Sequence, residues 1–236
     1  MTGETRERRM QRLDKLLSEA GVASRKELRG MIRAGRVRVD GQIVRDEAAK
    51  VDEGTVRVEV DGRAVENYRK VLLMLHKPAG YVTSTDDPRD RTVMELIPER
   101  YRRLGVTPVG RLDKETEGLL LLTNDGDLAH RILSPRSGIW KTYYAEHEGR
   151  ATGDDCAAFA AGLTLGDGTV CLPARLEPRD EGASLIYVQE GKYHQVRRMM
   201  ASRGMPVRYL KRIAEGELTL GELARGEVLE LDFGCI

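Results

Sequence analysis

The sequence predicts an α+β protein in which a small helix-helix-hairpin module precedes a larger domain built on a mainly antiparallel mixed sheet flanked by helices. Three observations carry this. Residues 11–58 hold two helical apolar periodicities and one tight hairpin signal. Residues 59–70 mix charges with Gly62 and Asn67, show no clean period, and read as an interdomain linker. Residues 71–236 alternate long strand patterns with three shorter helical ones, the signature of an α+β domain.

Residues 1–10 alternate Arg, Glu and Thr without apolar spacing and read as a mobile tail. Leu13, Leu16, Leu17 and Ala20 then share one helical face, and Gly21 supplies the left-handed stop. Ser24 with Glu27 forms a capping box for a second helix from Arg25 to Ala34, closed by Gly35. Val37–Val39, Asp40-Gly41 and Gln42–Val44 predict a hairpin, because Asp-Gly suits the two positive-φ positions of a type I′ turn. Beyond the linker, Val71–His76, Gly118–Thr123, Lys141–His147, Val170–Arg175, Ser184–Gln189, Val207–Lys211 and Glu227–Leu231 read as strands. Asp127–Leu133, Asp154–Ala161 and His194–Arg203 read as helices.

Length and composition fit one medium domain with a small appendage: 236 residues, 40% hydrophobic and 33% charged. The longest apolar runs, Val71–Leu75 and Leu119–Leu122, are far too short to cross a bilayer, and the first residues lack the apolar stretch of a signal peptide. Cys156, Cys171 and Cys235 are odd in number, widely spaced, and form no metal-ligand pattern. Together these features predict a cytoplasmic protein without a membrane span or a metal site; a monomer is expected. No Gly-x-Ser-x-Gly elbow and no phosphate-binding loop occurs, which removes support for hydrolase and nucleotide-dependent readings.

The net charge of +1 hides an asymmetry, since residues 1–58 hold fourteen Lys and Arg against ten Asp and Glu. On the second helix Arg25, Arg29 and Arg33 recur every four residues, stacking on one face while Leu28 and Ile32 point away. Such a ridge either solvates a helix or meets phosphates; nine bases against four acids between residues 10 and 45 favour phosphates. The residues Arg12–Leu17, Ala23–Arg29 and Ile32–Gly41 resemble the alpha-L RNA-binding motif, a likeness that covers residues 11–58. It implies an RNA-binding surface with Arg12, Lys15, Arg25, Lys26, Arg29, Arg33 and Arg36 along an RNA backbone.

Gly110-Arg111-Leu112-Asp113 precedes the apolar run Gly118–Thr123, which places Asp113 on a loop feeding a buried strand. Spacing alone leaves it an ordinary turn carboxylate beside Arg111. Glu115 and Glu117 add a second reading, a glycosidase acid/base pair of Asp113 with Glu117.

The whole stretch resembles the signature of the RsuA family of ribosomal-RNA pseudouridine synthases: Gly110–Asp113, Thr116, Gly118–Thr123 and Asp125-Gly126. Three further blocks follow the family order, at His76–Thr85, Lys141–Tyr144 and Glu190–Met199. The resemblance implies a cofactor-independent isomerase that detaches uracil at N1 and rejoins it through C5. Asp113 would be its essential carboxylate, with Arg197 as the family's cationic partner and Arg111 as the other candidate. Tyr143 would stack on the uracil, since a phenol with a pKa of about 10 is a poor base at neutral pH. Leu112 and Ile186 would line the pocket, and Lys77, His194 and Arg198 would donate to the RNA backbone.

The implied partner is ribosomal RNA or a pre-ribosomal particle. Gly191–Gln195 is more similar to members acting on small-subunit RNA than to those acting on large-subunit RNA. The alternatives are a large-subunit synthase of the same family and a non-catalytic RNA-binding or ribosome-assembly protein.

Overall fold

The structure, a computed structural model, describes residues 10–52, 55–65, 70–134, 137–180 and 182–235. The chain forms two compact units. One runs to Lys70 and includes Glu99–Gly105; the other comprises Val71–Pro98 and the chain from Val106 onward. The expected domain 71–236 is therefore interrupted by one short segment, whose contacts group it with the first unit.

The first unit begins with β1 (Met10–Arg12), followed by α1 (Leu13–Glu19) and α2 (Arg25–Arg33). The Ser24/Glu27 capping box is present, and Gly21 has φ 72°. Next come β2 (Val37–Val39), β3 (Gln42–Ile43), β4 (Lys50–Asp52), β5 (Val58–Val60) and β6 (Arg63–Ala64). β1 pairs with β4, so Met10 belongs to a strand rather than to the expected tail; residues 1–9 lie outside the described residues. The other four strands form a sheet in the order β3-β2-β5-β6. Leu13, Leu16, Leu17, Leu28, Ile32, Val37, Val58 and Val60 make its core.

Part of the expected linker is thus a hairpin. Asp61 and Gly62 take φ 52° and 75°, and Asp40 and Gly41 take 47° and 81°. The Asp-Gly turn signal occurs twice, and the Val-Glu-Val alternation before its second copy buries Val58 and Val60. Residues 66–69 of that linker lie outside the described residues.

The second unit opens with β7 (Leu72–Lys77); a 3-10 turn follows at Val93–Leu96, and another lies at Phe233–Cys235. α3 (Glu99–Arg102) is the segment grouped with the first unit. Then come β8 (Thr107–Val109), β9 (Glu117–Thr123), α4 (Gly126–Leu133), β10 (Lys141–His147), α5 (Gly153–Ala161), β11 (Arg175–Pro178) and β12 (Ala183–Val188). α6 (Gln195–Ser202), β13 (Val207–Glu215), β14 (Leu218–Thr219) and β15 (Val228–Leu231) complete it.

Seven strands run in the order β11-β12-β10-β13-β9-β7-β15, with β8 beside β9 and β14 beside β13. β13 and β9 form the parallel pair in an otherwise antiparallel sheet. Every residue of β9 is buried, which is why it reads as a continuous apolar run rather than an alternation. Leu119 and Leu121 pack with Leu128 and Ile132 of α4.

One predicted strand is misplaced. Val170–Ala174 is not a strand beyond the bridge Thr164 to Val170; Val170 and Leu172 are exposed, and Pro173 has no N–H for a ladder. The strand starts at Arg175.

Candidate active site

Asp113 sits in the loop between β8 and β9, two adjacent antiparallel strands whose ends the loop must join. Gly110, at φ 77°, turns the chain out of β8. The loop is braced from several directions. Thr83 Oγ1 accepts from the Leu112 N–H (3.1 Å) and donates to the Leu112 carbonyl (2.7 Å). Lys77 donates to the carbonyls of Pro78 (3.0 Å), Lys114 (3.1 Å) and Thr116 (2.8 Å). Arg197 reaches the Glu115 carbonyl at 3.5 Å and donates to the Val207 carbonyl at 3.2 Å.

Two expectations change here. Lys77 was expected to meet RNA, but it is fully buried, because its β7 position turns the ammonium inward onto three loop carbonyls. Burial lowers its pKa to about 8, opposed by the nearby carboxylates of Glu115, Asp113 and Glu117. Arg197 was expected to pair with Asp113. Instead it holds backbone on either side of the site, and no ion pair joins it to Asp113 among the described residues. The side chain beside Asp113 is instead His194, whose Nε2 lies 3.5 Å from Oδ1.

Asp113 lines a cavity with Leu112, Thr116, Tyr143, Val188, Leu210, Glu190–Lys192 and His194–Val196. Its volume is about 60 Å³, less than a nucleobase needs. Arg111, also in the wall, is exposed and makes no hydrogen bond or ion pair among the described residues, so it is the wall that yields most cheaply.

Tyr143 comes from β10, opposite Ile186 of β12 and Arg212 of β13, at a register shift between Thr142 and Tyr143. Such irregularities re-aim side chains beside functional sites. Burial raises the Tyr143 pKa and Arg212 works against the rise, so the group stays a neutral phenol. Ile186, expected in the wall, is fully buried beside Tyr143 and is not a wall residue. Val188, two residues along the same strand face, takes that place.

Several residues here escaped the sequence reading. Thr83 lies in the His76–Thr85 block, and Leu210 in a predicted strand, but neither position announces its partner. Thr116 is buried, and its hydroxyl has no hydrogen-bond partner among the described residues. Arg212 is fully buried, donating to the Leu119 carbonyl at 2.7 Å with Glu215 at 3.3 Å.

Other candidates are drawn elsewhere. Glu117 is buried outside the cavity, accepting from the Tyr209 hydroxyl (2.8 Å) with Arg225 at 3.1 Å, so it does not face Asp113 as a glycosidase partner. Arg198 pairs with Asp167 at 2.5 Å and donates to the Tyr193 carbonyl. Cys171 is buried, which raises its thiol pKa and suits no nucleophile. Among the described residues no cluster of three or more His, Cys, Asp or Glu could hold a metal ion. No helix there is long and apolar enough to cross a membrane.

In the first unit the basic ridge is partly spoken for. Arg33 makes a two-pronged ion pair with Glu47 (2.9 and 2.6 Å) and Arg36 another with Asp61 (2.8 and 2.5 Å). Lys15 lies 3.5 Å from Glu19. Asp14, buried in α1, accepts from Arg12 (3.0 and 2.9 Å), which lowers its pKa, and lies 3.7 Å from Arg29. Arg25 and Lys26 carry no ion pair among the described residues.

Comparison with known proteins bears on both units. The family model described as RNA pseudouridylate synthase matches residues 71–202, and the S4 domain model matches residues 11–56. An uncharacterised RNA pseudouridine synthase, YtzG of Bacillus subtilis, is 42% identical over 93% of this chain and 94% of its own length. The ribosomal small subunit pseudouridine synthase A of Pseudomonas aeruginosa is 40% identical over 89% of this chain and 91% of its own. A crystal structure of a pseudouridylate synthase superposes with a TM-score of 0.66 at 33% identity, covering 94% of this chain and 96% of that one. With a braced aspartate, a buried tyrosine and an S4 module ahead of them, the chain belongs to the RNA pseudouridylate synthase family and is an isomerase.

Proposed function

We propose that the protein converts one uridine of small-subunit ribosomal RNA to pseudouridine, with Asp113 as the carboxylate that acts on the bound nucleotide. The observation that carries this is the arrangement around Asp113: a carboxyl group on a loop clamped by Lys77, Thr83 and Arg197, with a neutral buried tyrosine across the cavity. The reaction breaks the C1′–N1 bond and forms C1′–C5, with loss of the C5 proton and gain of one at N1, so nothing is consumed. A clamped loop keeps Asp113 placed while the base turns, and Tyr143 supplies a flat apolar surface for it. Thr116, with its buried unpartnered hydroxyl, is the wall group set to satisfy a polar atom of the nucleotide.

The small-subunit assignment rests on Gly191–Gln195 and on the kinship with the Pseudomonas small-subunit enzyme. The first unit, through Arg25, Lys26 and Arg29, holds the RNA backbone. Incubating the protein with purified small- and large-subunit RNA and mapping pseudouridines tests the assignment. A new pseudouridine in the small-subunit RNA is expected; one confined to the large-subunit RNA would overturn it.

A further inference from the structure

Tyr193 is out of place for a large aromatic residue. It is 76% exposed, and its ring lies on that of His194, with centroids 3.9 Å apart and planes 16° apart. Tyr193 does not line the cavity itself but stacks on a residue that does, His194, which stands 3.5 Å from Asp113 in the cavity wall. The His194 backbone is left-handed, φ 47° and ψ 34°, a conformation that costs a non-glycine residue energy and persists only where its surroundings enforce it.

Those surroundings are well built. The Gln195 side chain accepts from the Lys192 N–H (2.9 Å) and donates to Glu190 (2.8 Å), while Lys192 pairs with Glu190 at 2.8 Å. Arg198 holds the Tyr193 carbonyl from α6. The turn is thus tied at Glu190, Lys192, Gln195 and the Tyr193 carbonyl, while the largely exposed Tyr193 ring rests on His194. A rigid turn that strains one residue to present an open aromatic face beside a reactive carboxylate is built for a flat, π-bearing ligand.

We propose that Tyr193 and His194 form a stacking platform for the nucleobase adjacent to the reacting uridine. A uridine enters the Asp113 cavity only by leaving its stack, and its neighbour then loses a stacking partner. Tyr193 replaces that partner, tolerating any base because every base has a π-face. The platform rests on the reading of the Asp113 cavity as the uridine site, and not on which ribosomal RNA is modified.

The test uses two heptanucleotide RNAs at low salt: AAAUAAA, and the same sequence with abasic sites on both sides of the uridine. Wild-type protein should bind the first roughly tenfold more tightly, the scale of one base-aromatic stack. Tyr193→Ala should bind both alike, at the abasic level, and Tyr193→Phe should keep the preference. The platform is overturned if Tyr193→Ala retains the preference, if it weakens both RNAs equally, or if the wild type shows none. Absence of preference with pseudouridine formation on ribosomal RNA intact counts against the platform alone. Absence of both counts against the site.

Discussion

Lys77 donates to three carbonyls from a position with no access to solvent, which ties its protonation to the fold. Its pKa is about 8 in the folded protein against 10.5 for a free lysine. Below pH 8 both states carry the proton; between about 8 and 10.5 only the unfolded chain does. The unfolded state then binds more protons, so the stability contributed by this residue rises with pH across that window. Lys77→Met should cost about 1–3 kcal/mol at pH 7 through the carbonyls left without a donor. In urea melts the gap between wild type and Lys77→Met should widen in the wild type's favour from pH 8 to 10. A constant gap would contradict the assignment. Lys77 also marks where residue-level reading of the sequence stops. Asp113, Leu112 and Tyr143 lie in contiguous motifs and line one cavity. The direction of the Lys77 ammonium depends on carbonyls up to 39 positions away, and the burial of Arg212 beside exposed-looking Lys211 depends on strand order.

Gly118 shows why a motif position can be dictated by strand packing rather than chemistry. β9 meets β13 in parallel there, and a Cβ on Gly118, at φ 111°, would lie 2.1 Å from the Arg212 carbonyl oxygen. Backbone cannot swing aside as a side chain does. Gly118→Ala should therefore destabilise the protein by about 3 kcal/mol or more and lower activity with it, since Arg212 backs Tyr143. Gly126, in the same motif, has nothing within 4 Å of its Cβ position, and Gly126→Ala should leave the melting temperature nearly unchanged. Equal effects would refute the packing argument. Most elements are legible because apolar spacing and Asp-Gly or capping signals are local. The Arg63–Ala64 strand and the start at Arg175 were missed because two-residue strands and proline-broken segments carry little period of their own.

For the molecule as a whole, the charge asymmetry overstates the RNA-binding surface, since Arg33, Arg36 and Arg12 already hold carboxylates. On the α2 ridge the cations left for phosphates are Arg25, Lys26 and the loosely paired Arg29. Changing all three to Gln should weaken RNA binding uniformly across sequences and flatten the dependence of log affinity on log salt by about two. An unchanged slope would move the RNA path off this helix. On the proposed function the chemistry hangs on one carboxylate, and the decisive measurement compares wild type with Asp113→Asn, a near-isosteric change at a half-exposed position. Small-subunit ribosomal RNA is incubated with each and its pseudouridines are mapped at nucleotide resolution, with RNA affinity measured alongside. The wild type should form a new pseudouridine and Asp113→Asn none, at matched affinity. Pseudouridine formed by Asp113→Asn at the wild-type rate would contradict it.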